Sequence, residues 1–425
     1  MRAAILAAAM FIATASVSAQ EAEPEEGPSL RWGAVLDLRA ARGSEEVSWL
    51  DGGLGKTRYG ARANGGRDVL SLGQASLVVD AKLTEILGAH VQVNLDAEPD
   101  AANRRARIGL VEAFASFRPE PSPRVRLRFK GGMFFPPISL EHPGKAWSTV
   151  HTITPSAINA WVGEEVRATG LEATAAFRPG RHELSATAAL FSNNDPAGTL
   201  LAWRGWAMHD RQTAAFDELP LPPLASFQPG GPFPDLPPWD APIREVDGRI
   251  GYYYGVGWTM DDAFELRASF WDNNADPAAF DGFQYGWYTE MWSLGGRAGL
   301  PGGGALLAQY MDGTTEMGDL GGGTLAVDNR FRAAYALATI PFGRHRLTGR
   351  YDWFDVEDRD VLVAEDPNAE NGHAWTAAYL LTLHETTRLA VEWLRITSDR
   401  PSRADLDLAP EATETQVQAS LKVSF

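Results

Sequence analysis

Cysteine is absent from the chain, so no disulfide, thiolate metal site or cysteine nucleophile is available to it. Apolar runs of roughly 20 residues are absent beyond the N-terminus, which excludes a multi-helix membrane protein. Positive charge is scarce: 38 Lys and Arg stand against 55 Asp and Glu in 425 residues, a formal charge of -17. A general nucleic-acid binder needs clustered positive charge to displace the counterions held by phosphate, so no nucleic-acid partner is expected. Catalytic signatures are missing too. The eight His are scattered without metal spacing, and G-x-S-x-G, Walker A and H-E-x-x-H do not occur, so no cofactor is expected. What is plentiful is glycine, 42 residues, and tryptophan, 14.

Met1 to Ala19 has one early charge at Arg2, an apolar stretch from Ala3 to Ala15 and a small-residue end at Val17-Ser18-Ala19. This reads as a cleavable secretory signal, its apolar core being too short for a membrane anchor. Residues 20–28 then form a short N-terminal extension.

From residue 29 to 425 the dominant pattern is alternation with period two. In 87–97, Leu87, Ala89, Val91, Val93 and Leu95 oppose His90, Gln92, Asn94 and Asp96. Such a segment is a strand with one apolar and one wet face. Similar segments fall at 29–42, 70–83, 108–118, 124–134, 166–177, 182–192, 244–259, 264–272, 287–300, 305–313, 326–340, 345–355, 373–383, 387–397 and 414–425. With 87–97 they make about sixteen strands, an even number. Their connections alternate between short turns, such as 84–86 and 178–181, and long loops, including 135–165 and the Pro-rich 193–243. That segregation predicts an all-β, transmembrane, antiparallel up-and-down β-barrel with short periplasmic turns and long extracellular loops. In lipid an open sheet edge would leave backbone groups unsatisfied, so the first strand is expected to pair with the last. Phe117, Phe177, Trp292, Tyr335, Trp353 and Trp375 lie near segment ends and read as interface girdles, or as ordinary β-propensity.

Face assignment follows from cost. Arg124, Arg126, Arg128 and Lys130 share one face, and each basic residue turned to lipid near the midplane would cost about 2–4 kcal/mol. They are expected to line the lumen as a basic ladder, which draws anions. Loop 135–165, carrying Glu141, His142, Lys145, Glu164 and Glu165, is expected to fold inward and set carboxylates against that wall. The alternative is that Glu112 and Glu172, on the neighbouring strands, neutralise the ladder. Arg330, Arg332, Arg346 and Arg350 are read as further lumen-facing basic residues. With Asp80, Arg267, Arg297, Asp352 and Glu392 they make the lumen mixed and leave the ionic preference open. Asn193-Asn194-Asp195-Pro196 and Asn273-Asn274-Ala275-Asp276-Pro277 could offer oxygens to calcium, but Asn and Asp before Pro more often initiate turns, and no metal is expected.

The segment Gly131-Gly132-Met133-Phe134-Phe135-Pro136-Pro137-Ile138-Ser139-Leu140-Glu141, entering the loop after strand five, resembles the constriction-loop region of the phosphate-selective porin O/P family of Gram-negative outer membranes. The resemblance implies a homotrimer, a third extracellular loop narrowing the pore, and lumenal arginines guiding anions. Phe425, ending an alternating strand, looks like the signal read by the barrel-assembly machinery. The chain departs from the family in its acidic excess and in having no lysine-rich mouth.

The expected function is passive diffusion of small hydrophilic solutes across the lipid bilayer of the outer membrane, with no reaction, an anion preference being one option that the mixed lumen leaves open. One rival is a structural or glycan-binding barrel plugged by loop 193–243, with Trp203, Trp206 and Trp239. The other is an outer-membrane hydrolase, for which His90 is the only inward-facing base.

Overall fold

The computed structural model describes residues 27–61, 67–96 and 108–425. The signal reading of 1–19 and nearly all of the 20–28 extension lie outside the described residues. Sixteen antiparallel strands form one closed barrel in which each strand pairs with its neighbours in the chain and the last returns to the first. They are β1 (Ser29–Arg42), β2 (Asp68–Lys82), β3 (Leu87–Leu95), β4 (Ile108–Phe117), β5 (Val125–Phe134), β6 (Ala168–Phe177), β7 (His182–Ser192) and β8 (Gly251–Met260). The second half comprises β9 (Phe264–Asp272), β10 (Tyr288–Leu300), β11 (Gly304–Asp319), β12 (Leu325–Phe342), β13 (His345–Asp358), β14 (Glu370–His384), β15 (Thr387–Asp399) and β16 (Glu411–Ser424). Closure runs from Val35 opposite Ser424 to Arg42 opposite Val417. The seam is finished by Ala34 N–H donating to the Phe425 carbonyl at 2.9 Å, and Phe425 N–H to the Ala34 carbonyl at 3.1 Å. No strand edge is left open, which is the condition for a sheet in hydrocarbon.

At one end of the barrel the connections are tight. Gly180 and Gly343, with φ of 68° and 63°, take the left-handed conformation such turns require. The other end carries the long loops. Two of these hold short helices, α1 (Ala157–Glu164) and α2 (Thr199–Trp203). Ser156 caps α1 by accepting a hydrogen bond from Asn159 N–H at 3.3 Å.

Strand length divides the barrel into two walls. The seven strands β3–β9 have 9–11 residues, enough to cross roughly 30 Å of hydrocarbon at a tilt. The nine strands β10–β16, β1 and β2 have 13–18 residues and continue past that thickness at the loop end. The 305–313 segment is really Gly304–Asp319, and 244–250, expected in a strand, belongs to the long loop before β8. The outward faces of the short strands are apolar, with Leu87, Val91, Phe117, Leu171, Leu190 and Val256 all exposed.

The lumen contains the main hydrophobic core. Trp161 of α1 and Trp206 of the loop after β7 are fully buried among inward residues of the tall strands, including Met311, Phe331, Phe354 and Leu394. Inward faces that are wet in an empty barrel are here apolar, because loop side chains cover them.

Candidate functional site

Three things converge in the lumen: loop 135–165, the loop from 193 to 250, and the inward faces of the strands. Loop 135–165 crosses the whole interior. On the tall wall, Arg350 of β13 donates to Glu141 at 3.1 Å and to Asp352 at 2.7 Å. Glu392 of β15 accepts from Ile153 N–H at 2.6 Å and Thr154 N–H at 3.1 Å. Arg388 reaches the carbonyls of Val150 and Thr149 at 3.0 and 3.3 Å. Near the turn end Lys145 Nζ lies 2.6 Å from the Phe425 carbonyl. A charged group that is paired and hydrogen-bonded in this way holds its loop firmly, because breaking the pair leaves a buried charge.

The second loop locks onto the first. Arg204 makes two hydrogen bonds to Glu164, at 2.7 and 2.6 Å, and His209 lies 3.1 Å from the same carboxylate. Although burial favours the neutral acid, Arg204 and His209 hold Glu164 well below the usual carboxylate range. Glu165 differs: burial pushes it up to about 7, despite the hydrogen bonds it accepts from Leu200 N–H and the Trp161 indole. Lys56, from the β1–β2 loop, pairs with Glu370 inside the same core, and burial lowers its ammonium to about 8.

Several expected site residues stand elsewhere than the sequence suggests. The ladder faces the lumen from Arg126 to Lys130, while Arg124 precedes the strand in the turn. Arg126 pairs with Glu120 at 3.1 Å, and Lys130 with Glu172 at 2.8 Å beneath Phe114 and Phe134. Of the two carboxylates expected to neutralise the ladder, Glu172 pairs with Lys130 and not with its arginines. Glu141, Glu164 and Glu165 are buried in loop anchors and do not oppose the ladder. Arg350, expected on the pore wall, is likewise a buried anchor, whereas Arg346 reaches Thr339 at 3.0 Å near the turn end.

Arg330 and Arg332 lie on the outer face, not in the lumen. They pair there with Asp312 and Asp355 at 2.8 and 2.6 Å, while their neighbours Phe331 and Ala333 point inward and are fully buried. The physical reason is height: in the extension of the tall wall the outer face is above the apolar band, so the cost that drives charge inward does not apply. Tyr335 corrects in the opposite sense, being inward and 3 % exposed rather than part of a girdle.

Sequence reasoning missed the arginines near the turn end as a set. Arg128, Arg297, Arg346 and Arg388 form no ion pair among the described residues. Burial together with Arg346, Arg297 and Arg388 holds the His151 imidazole down to about 4. Their positions within strands were legible; the convergence of Arg297, Arg346 and Arg388 on His151 from three strands was not.

The hydrolase geometry is incomplete. His90 binds Asp80 at 2.8 Å and stacks on Phe114, and no serine hydrogen-bonds it among the described residues. The Ser139–His142 hydrogen bond, 2.7 Å, joins neighbours in one loop; the His142 ring stacks on Trp147 at 3.6 Å, and no carboxylate hydrogen-bonds it among the described residues. Asp195, Glu245 and Asp247 present oxygens within 4.8 Å of one another, but Asp195 and Glu245 accept backbone N–H groups of Val246, Asn193 and Gly248, as turn carboxylates do.

No family model matches the chain, and no curated protein matches it. Solved structures do. The outer membrane channel DcaP of Acinetobacter baumannii superposes with a TM-score of 0.58 at 11 % identity, covering 95 % of this chain and 99 % of that one. Salmonella typhi OmpF in complex with daunomycin gives 0.54 at 10 % identity, covering 94 % and 98 %. OmpT, an outer-membrane protein of Vibrio cholerae, gives 0.52 at 7 % identity, covering 95 % and 100 %. At these identities the likeness is one of fold: this chain has the closed sixteen-strand architecture of outer-membrane porins.

Proposed function

We propose that the protein is an outer-membrane porin, a passive channel for small hydrophilic solutes that favours anions. The observation that carries this reading is the closed barrel with an apolar outer band and a lumen containing four arginines, Arg128, Arg297, Arg346 and Arg388, that form no ion pair among the described residues. Such a field concentrates anions without binding them tightly. The resemblance of 131–141 to the constriction region of phosphate-selective porins supports the same role for loop 135–165, as a homotrimer delivered by the assembly machinery through Phe425. No catalytic step is needed, and His90, His142 and His209, which have hydrogen-bonded partners in the lumen wall and loops, form no Ser–His–carboxylate triad among the described residues. A plugged, structural barrel is the second reading, favoured by the complete burial of Trp206 and Glu164 where the loops meet.

Recording from the purified protein in planar bilayers decides between them. The porin reading expects discrete conductance and a reversal potential displaced toward chloride, moving toward the cation when Arg128→Glu and Arg346→Glu are combined. A silent membrane would favour the plug, and an unmoved reversal potential would remove the arginines' role.

A further inference from the structure

The loops are not attached equally all round the barrel. Against β13–β15 they are held by buried ion pairs and charge-assisted bonds. Against β2 and β3, Arg58 of the β1–β2 loop reaches the Gly73 carbonyl at 2.7 Å, and beside it lies a seam of neutral amides. Gln92 of β3 donates to the Gln212 side-chain oxygen at 2.7 Å, and Gln212 donates to the carbonyls of Ala146 and Trp147 at 2.9 and 2.8 Å. Gln74 of β2 also donates to the Ala146 carbonyl, at 3.1 Å, and Asn94 to Gln212 at 3.2 Å.

This seam separates two cavities. On the loop side lies a cleft of about 40 Å³ whose lining includes Arg58, Asp210, Gln74 and Gln212. On the turn side lies a cavity of about 520 Å³ reached by Asp80, His90, Glu112, Lys145 and Gln92. The carbonyls that close the seam belong to two consecutive residues in the left-handed region, Ala146 with φ 54° and Trp147 with φ 48°. A non-glycine pair there is strained and persists only while its surroundings hold it. The Gln92 side-chain oxygen is buried without a partner among the described residues, an acceptor left over in the closed arrangement.

We infer that solutes cross the barrel along the β2–β4 wall and not through its centre, and that Gln74, Gln92, Asn94 and Gln212 form the selectivity neck, closed in this structure by Gln212 on the Ala146–Trp147 turn. The inference rests on the porin reading and adds a path to it. An uncharged neck of amide donors and acceptors replaces the hydration of small hydrogen-bonding solutes one contact at a time. The solute class is therefore small, polar and rich in hydroxyl, amide or carboxylate groups; apolar molecules gain nothing at the neck.

The absence of cysteine makes the test clean. Full-length Gln92→Cys and Ser293→Cys, the latter on the β10 wall behind the loops, are compared in bilayers before and after a trimethylammonium methanethiosulfonate reagent. Folding is checked by heat-modifiable gel mobility. Modification at position 92 is expected to cut conductance by more than half and at position 293 to leave it unchanged, while Gln212→Ala raises conductance severalfold. A conducting Gln92→Cys channel indifferent to the reagent, or equal block at both positions, overturns the path and leaves the pore intact. Silence of both wild type and Gln212→Ala overturns the porin reading itself.

Discussion

Strands β3–β9 and strands β10–β2 carry the same two-residue alternation but solve different problems. The short wall ends where the hydrocarbon ends, and its outward side chains stay apolar, as Leu171 and Leu190 illustrate at 69 % and 59 % exposure. The tall wall continues upward. Its outward face turns from Ala336, Tyr310 and Trp292 to Asp312, Arg330, Arg332 and Asp355, and its inward face supplies the charged anchors Arg350, Glu370 and Glu392 that hold the loops. An apolar outer face therefore marks depth in the membrane, and a charged inner face on the tall wall marks attachment. Charge on a barrel strand does not by itself mean pore.

The sharpest way to break that comparison is to cut an inner anchor. Arg350→Ala leaves Glu141 and Asp352 buried without their partner, a loss of about 3–5 kcal/mol for such a pair. It is expected to free loop 135–165 to proteolysis and raise channel noise while the strands stay paired. Limited proteolysis of the folded protein in vesicles checks it; a loop as resistant as the wild type's would show that Arg350 anchors nothing.

Next in size is a charge placed on the tall wall inside the apolar band. Ala336 faces outward on β12, level with Ala308 of β11. Ala336→Arg is expected to destabilise the barrel by about 2–4 kcal/mol if that level is near the midplane. Urea titration in lipid measures it. A change near zero would place Ala336 above the hydrocarbon and redraw the band.

The two neighbours Glu164 and Glu165 sharpen the inner side of the contrast. Burial raises Glu165 from 4.5 to about 7. A carboxyl whose folded value is raised contributes stability that is fully present below its unfolded value and lost as pH rises through the folded one. Glu165 thus weakens the core progressively between about pH 4.5 and 7, and Glu165→Gln should stabilise it at pH 8 by something on the order of 1–3 kcal/mol and by little at pH 4. Glu164, lowered by its partners, has the opposite sign, its contribution being lost as acid protonates it. An equal effect of Glu165→Gln at both pH values would refute the assignment.

Much of the fold was legible because period two survives wherever one face meets lipid and the other meets water, as in β3 and β16. The alternation misled where that chemistry changed. In β12 the inward residues Phe331, Tyr335 and Leu337 are bulkier and more apolar than the outward Ala334, Ala336 and Ala338. Apolar size therefore pointed to the wrong face, and Arg330 and Arg332 went with it. Nothing local in Phe331 records that Trp161, 170 positions earlier, will pack against it at 5.1 Å. The site was less legible than the fold for the same reason. Arg126, Arg128 and Lys130 could be put in the lumen by cost alone, but whether Glu141 faces a pore or an arginine depends on the path of its loop, and Gln212 carries no charge or motif to distinguish it.

The smallest effect tests the outer side. Arg332 lies on the exterior of the extension, 2.6 Å from Asp355 and 6.0 Å from the Trp353 ring, with its side chain 30 % exposed. Solvent screens such a pair, and exposed pairs of this kind contribute about 0–1 kcal/mol. Arg332→Ala is therefore expected to leave urea stability within that range and to leave ion selectivity unchanged, whereas a lumenal arginine of equal charge would shift the reversal potential. Both measurements matter together. A selectivity shift would mean that Arg332 sees the permeating ion and that the β12 register is displaced by one residue. A stability loss as large as that expected for Arg350→Ala would mean that the outer pair is shielded from water, so that the tall wall stands in lipid to its full height.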